Sequence, residues 1–215
     1  MTKKERVAAV TEALNREYGT EMMTYLHYDT PWQLLFATIL SAQCTDERVN
    51  LVTKDLYQKY TSVQDFADAE LSELEKDIYS TGFYKNKAKN IKACAAALLE
   101  RYDGEVPRDI DELTSLPGVG RKTANVVRGN IFGDASIVVD THVKRVSRLL
   151  GLTKETDPVK VEYDLMKVLP KEQWILYNVQ VIAVGRTWCI SGRPTCGECI
   201  LRECCKTAES LKKNK

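Results

Sequence analysis

Two stretches of this 215-residue chain combine residue types and spacings that can do chemistry. The first is Leu116-Pro117-Gly118-Val119-Gly120, followed at once by Arg121, Lys122 and Thr123. Pro117 cannot continue a helix from "DIDELTSL". Gly118 and Gly120 permit positive φ and leave no Cβ in the way of an approaching molecule. "RKTANVVRGNIF" then restarts a helix, so free N–H groups and a positive dipole end stand at its first turn. Such a place holds a phosphate without reading the base. A turn that merely contains glycines is the bland alternative. The whole string between two amphipathic helices favours a helix-hairpin-helix DNA anchor spanning about residues 109–133.

The second stretch is Cys189, Cys196, Cys199 and Cys205, in C-x6-C-x2-C-x5-C spacing. Four thiolates within seventeen residues can surround one metal centre. Seven cysteines in all, five of them between Cys189 and Cys205, do not make the even, spread-out set of a disulfide framework. Tetrathiolate sites hold zinc or an iron–sulfur cluster, and this spacing fits neither the usual zinc ribbons nor the ferredoxin runs. The metal stays open on spacing alone. Cys204 is the spare neighbour, while Cys44 and Cys94 sit in apolar, helix-like surroundings and read as small core residues.

The elements that must position these groups are helices. Val7, Val10, Ala13 and Leu14 form a helical stripe that ends near Gly19. Thr30 and Pro31 open a second helix, and Thr45 or Asp46 caps a third, with Val49, Val52 and Leu56 facing inward. "KNKAKNIKACAAALLERY" runs to Gly104, and "THVKRVSRLLG", "DPVKVEYDLMKVL" and "EQWILYNVQVIAVGRTW" follow the hairpin. Only "ASIVVD" has a β-branched bias. The expected class is all-α.

Apolar residues at 44% and charged residues at 28% are ordinary for a soluble globular chain. No stretch reaches the length of a membrane span, and the N-terminus has no apolar leader segment, so a cytoplasmic, nucleoid-associated protein is expected. Net charge is +1, but it is unevenly spread. Residues 46–77 carry nine acids against four bases, 85–101 five bases against one acid, and 121–148 six bases against two acids. A neutral average can hide one basic face that meets phosphates.

The hairpin, the cysteine cluster and "VVDTHVKRVSRLLG" between them resemble the endonuclease III family of DNA repair glycosylases, in the same motif order from "LLFATILSAQCTDERVN" through Cys205. The resemblance implies that the cysteines hold a [4Fe–4S] cluster. It makes Lys122 the nucleophile that attacks the sugar and Asp140 the catalytic carboxylate. A lysine is mostly protonated at neutral pH, with an ordinary pKa of about 10.4. A helix N-terminus beside Arg121, sheltered from bulk water, would bring its neutral form within reach. Without the resemblance, Lys122 reads as a solvated surface lysine and Asp140 as a helix N-cap. Cap and catalyst are compatible roles for one aspartate.

The resemblance further implies that Gln43 and Phe83 fill the gap left by an extruded nucleotide. Lys85, Lys87 and Lys89 would hold phosphates nearby. Leu116, Gly118, Gly120, Arg121, Thr123 and His142 complete the expected DNA contacts. Phe83 as a core contact and His142 as a hydrogen-bonded helix residue are the competing readings. One segment departs from the family pattern: Val184 precedes Gly185, with Asn178 and Gln180 further back, although Arg186 and Cys189 are kept.

The expected architecture has two helical lobes with a cleft between them. Residues 24–134 form the lobe with the hairpin; residues 1–23 and 135–215 form the lobe with the cluster loop. The expected activity is removal of oxidised pyrimidines from double-stranded DNA and cleavage at abasic sites, by a monomer with no membrane partner. A relative with another damaged-base or mismatch preference is one alternative. A non-catalytic DNA-binding or redox-sensing iron–sulfur module is the other.

Overall fold

The computed structural model describes residues 1–21 and 24–213, and every regular element among them is helical. Residue 23, the last of the expected N-terminal portion, lies outside the described residues. In chain order the helices are α1 (Lys3–Tyr18), α2 (Pro31–Leu40), α3 (Asp46–Lys59), α4 (Val63–Asp68), α5 (Leu71–Asp77) and α6 (Tyr84–Tyr102). There follow α7 (Ile110–Thr114), α8 (Arg121–Phe132), α9 (Thr141–Leu150), α10 (Pro158–Met166), α11 (Trp174–Thr187) and α12 (Lys206–Lys213). "ASIVVD" lies in neither helix nor strand. The chain divides into two compact units, residues 25–134 and residues 1–24 with 135–215.

The 25–134 unit is built around α2, which is apolar on nearly every side and buried from Gln33 to Leu40. Pro31 occupies its first turn, and the Gln33 side chain accepts from the Asp29 and Thr30 amides at 2.6 and 3.1 Å. Phe36 and Phe66 meet edge-on at 5.0 Å, which adds to the apolar area they bury. Ile91 and Leu98 of α6, Leu113 of α7 and Val127 of α8 complete this core. The α7–α8 hairpin is pinned at its open end. Arg108, ahead of α7, donates Nε to Asp134 Oδ2 at 3.1 Å, and Arg128 of α8 reaches the same oxygen at 3.5 Å.

The other unit packs Val10 and Leu14 of α1 with Val143, Val146 and Leu150 of α9, Val161 and Leu165 of α10, and Tyr177, Val181 and Val184 of α11. Here the atypical segment finds its explanation. Gln180 donates to Asn15 Oδ1 and to the Gly19 carbonyl, both at 2.9 Å, and accepts from Gln173 at 2.6 Å. Asn178 donates to the Val138 carbonyl at 3.2 Å, and Tyr177 shares a 2.9 Å hydrogen bond with Ser147. These polar side chains are satisfied inside the core, where an unpaired one would cost about 1–3 kcal/mol. Gln180 and Gln173 fasten the end of α1 to α11, while Tyr177 ties α11 to α9 and Asn178 ties it to the segment ahead of α9.

Candidate nucleic-acid interface and metal centre

The two hairpin glycines are present for different reasons. Gly118 has φ 76°, and a Cβ there would lie 2.7 Å from the Cβ of Asn90 on α6. Fold and packing both require it. Gly120 has φ −91°, and a Cβ there would meet nothing within 4 Å. The protein itself makes no demand for glycine at this position. Gly120 is also the N-cap of α8, where no side chain caps the helix and intrahelical bonding begins only with Ala124 N–H to the Gly120 carbonyl at 3.0 Å. The hairpin therefore presents an uncapped, positively polarised helix start with open space before it.

Lys122 is exposed in the first turn of α8, with Arg121 and Thr123 half-buried beside it. The Lys122 side chain is exposed, so the expected shelter from bulk water is not provided in the free protein. Leu116 belongs to a string expected to grip a phosphate through its backbone. Its side chain is 2% exposed and packs in the core with Leu113 and Val119, so it has only main chain to offer a phosphate.

Gln43 and Phe83 share an unusual backbone. Among the described residues, only Gln43 (φ 53°), Phe83 (φ 50°) and Asp103 (φ 52°) are non-glycine residues with positive φ. Asp103 merely ends α6. The other two are the residues expected to enter DNA, each exposed on a tight turn, and a left-handed conformation costs a side chain of this size about 1 kcal/mol or more. Phe83 is 63% exposed, which rules out the core-contact reading. Lys85 and Lys89 are exposed near it. Lys87 is not: it is 4% exposed, and its ammonium donates to the Leu40 and Thr81 carbonyls, each at 2.8 Å. It belongs to the buried face of α6 with Ile91, Cys94, Ala95 and Leu98, and cannot hold a phosphate.

In the other unit, Asp140 is the N-cap of α9 and accepts from the Val143 amide at 2.7 Å. The cap fixes the half-buried carboxylate at the positive end of the helix. His142, two residues on, lies so close to Gly185 that a Cβ there would collide with the ring. Burial is the main influence holding the imidazole below its ordinary pKa; Asp140 acts in the opposite direction, and Arg145 and Arg186 reinforce the depression. His142 is thus foremost a packing residue of the α9–α11 contact.

Cys189, Cys196, Cys199 and Cys205 line one cavity of about 120 Å³, with Trp188, Pro194 and aliphatic side chains completing an apolar wall. Cys204 points elsewhere: its buried thiol donates to the Leu201 carbonyl at 3.4 Å, and burial pushes it up to about 11. Burial also raises the Cys189 and Cys199 thiols, and the neighbouring cysteines add to the rise. Thiolates crowded in such a wall need a cationic centre to be stable. Among the described residues, no three His, Cys, Asp or Glu side chains gather closely enough to hold a single metal ion. The four cysteines line one space, and a set of four thiolates suits zinc or an iron–sulfur centre. Arg145 Nη2 donates to the Cys189 carbonyl at 2.7 Å and steadies the first ligand position. Cys94 is fully buried, whereas Cys44 lies half-buried in the turn after α2 and not in a helix.

Comparison with known proteins places this geometry in a family. The profile of the HhH-GPD superfamily base excision DNA repair proteins matches residues 36–171. The chain is 49% identical over 210 residues to the Endonuclease III of Synechocystis sp., covering 97% of this chain and 95% of that one. It is 49% identical over 189 residues to the Endonuclease III of Bacillus subtilis, covering 87% and 86% of the two chains. Among solved structures, a trapped endonuclease III–DNA covalent intermediate (the estranged-adenine complex) superposes with a TM-score of 0.91 at 43% identity, over 99% of this chain and all of the other. No helix among the described residues is long and apolar enough to cross a membrane.

Proposed function

This chain belongs to the endonuclease III family within the HhH-GPD superfamily, and from that premise we infer that it is a base excision repair enzyme, a bifunctional DNA glycosylase and abasic-site lyase. Its substrate is double-stranded DNA with oxidised pyrimidines or abasic sites, and it acts as a cytoplasmic monomer. The observation that carries the reading is the start of α8, an uncapped helix N-terminus at a glycine the fold does not need, with exposed Lys122 in the same turn. A DNA phosphate seated on those amides sets the register of the strand, and the register sets the distance from Lys122 to the sugar.

In this mechanism Gln43 and Phe83 take the place of the extruded nucleotide, which their exposure on left-handed turns supports. The Lys122 amine, once neutral, bonds to C1′ as the glycosidic bond breaks, and the pair of electrons leaves with the base. Asp140 accepts the lysine proton or stabilises positive charge on the sugar. The bound nitrogen then opens the sugar ring: its electron pair forms the C1′=N bond as the C1′–O4′ bond breaks and O4′ takes up a proton. The resulting Schiff base makes a C2′ proton acidic, and its removal expels the 3′ phosphate by β-elimination. Cys189, Cys196, Cys199 and Cys205 would hold a [4Fe–4S] cluster, which the apolar, sulfur-lined cavity fits. When bound, it would tie the C-terminal segment to α9 and α11.

Borohydride trapping on abasic-site duplex tests the nucleophile. The wild-type protein should form a covalent adduct and Lys122→Ala should not; an adduct that survives the substitution removes Lys122 from the role. Iron content tests the centre: brown protein with iron near four per chain is expected for a [4Fe–4S] cluster, and about one zinc per chain would overturn it.

A further inference from the structure

The two turns that carry Gln43 and Phe83 come from separate parts of the 25–134 unit, and one side chain fastens both. Leu40 is the last residue of α2, three residues before Gln43. Thr81 ends a 3-10 turn, two residues before Phe83. The carbonyls of both accept from the same Lys87 ammonium, each at 2.8 Å. Lys87 also bonds through its own amide to the Phe83 carbonyl at 3.1 Å. With its ammonium it closes the C-terminal end of α2, where a cation also complements the helix dipole.

This is an expensive way to close a helix. Burial works against the charged form of Lys87 and holds its pKa below the ordinary lysine range. Both acceptors are neutral carbonyls, not carboxylates. A leucine in this position would satisfy the apolar face of α6 formed by Ile91, Cys94 and Leu98. What only a lysine of this reach provides is a rigid link between two carbonyls on two different turns.

We propose that Lys87 is a positioning residue for nucleotide extrusion: it holds the Gln43 and Phe83 turns at a fixed mutual spacing, so that both side chains enter the duplex together. The proposal rests on the glycosylase reading above and deepens it. Lys87 touches neither substrate nor the reacting atoms in this role; it acts through the two turns.

The test uses the full-length protein and duplexes with one thymine glycol flanked by 2-aminopurine, whose fluorescence rises when the stack opens. In Lys87→Met, extrusion and base release should both slow by about tenfold, as expected when positioned groups lose their alignment. Cleavage at a preformed abasic site, where no base has to be displaced, should change much less. The decisive arm is a cycle with the Gln43→Ala/Phe83→Ala variant. If Lys87 acts through the two turns, adding Lys87→Met to that variant brings no further loss. An equal further loss in that background, or a wild-type extrusion rate in Lys87→Met, overturns the proposal. Should the Met variant fail to fold, Lys87→Gln serves in the same cycle, since its shorter side chain cannot reach both carbonyls. A wild-type protein that releases no base sinks the glycosylase reading itself, an outcome distinct from normal extrusion in the Lys87 variants.

Discussion

Gly118 and Gly120 stand two residues apart, yet the protein's own packing requires only Gly118, and the proposed function gives Gly120 to the docked DNA. Gly118→Ala forces a Cβ into positive φ and against Asn90, with no flexible side-chain end to give way. A loss of about 1–3 kcal/mol is expected, visible as a lowered Tm. Gly120→Ala meets open space at an ordinary φ, so Tm should stay near wild type while DNA affinity falls several-fold. Thermal melts alongside fluorescence-anisotropy titrations with abasic-site duplex separate the two. Equal destabilisation by both substitutions would mean that Gly120, like Gly118, serves only the turn. The same residue-level contrast separates Lys122, exposed on the first turn of α8, from Lys87, sealed under two carbonyls. Both are lysines near glycine-bearing turns, and burial alone assigns them opposite work.

At the scale of elements, Asp140 shows how a cap and a reactive carboxylate can be dissected. Asn is as good an N-cap as Asp, so Asp140→Asn should retain the bond from Val143 and the stability of α9, but lose the charge. Asp140→Ala should lose both, at about 1 kcal/mol for the cap. Denaturant melts paired with single-turnover base release make the comparison; full activity in Asp140→Asn would leave Asp140 a cap and nothing more. Caps also explain which helices could be read from the chain. Pro31 in the first turn of α2, Thr45, Asp140 and the closing Gly19 all act locally, and the elements begin or end where those residues predict. The left-handed backbone at Gln43 and Phe83 is different. Neither residue type asks for positive φ, so nothing local announces it; the turns are held by contacts such as the Lys87 link, which is long-range for α2. Lys87 itself carried a local signal that charge counting hides: it falls in helical step with Ile91, Cys94 and Leu98 on the buried face of α6. Leu116 was hidden in the same way, inside a motif that draws attention to its glycines.

For the whole molecule, the question is how a chain of net charge +1 holds a polyanion. Counting bases along the sequence overstates the charge available. Within 85–101, Lys87 is buried and Lys92 donates to the Ala67 and Ala69 carbonyls, both at 2.7 Å. Within 121–148, Arg128 pairs with Asp134, and Arg145 is committed to the Gly185 and Cys189 carbonyls. What remains exposed around the two turns and the hairpin is a small set in which Lys85, Lys89 and Lys122 stand out. Electrostatic affinity should accordingly be modest, with recognition depending more on the helix amides at Gly120 and on the inserted side chains. Each phosphate neutralised contributes about −0.9 to the slope of log K against log salt, so a slope near −3 to −4 is expected, not the roughly −10 of a strongly basic binder. Lys85→Ala should make that slope shallower by about 1 while weakening binding to every duplex alike. Lys87→Met should leave it unchanged, because an ammonium sealed under two carbonyls releases no counterion from DNA. A salt titration of both variants on undamaged duplex decides the matter: a slope that changes with Lys87 would put its charge at the interface, and a slope indifferent to Lys85 would take the α6 start out of the phosphate contacts.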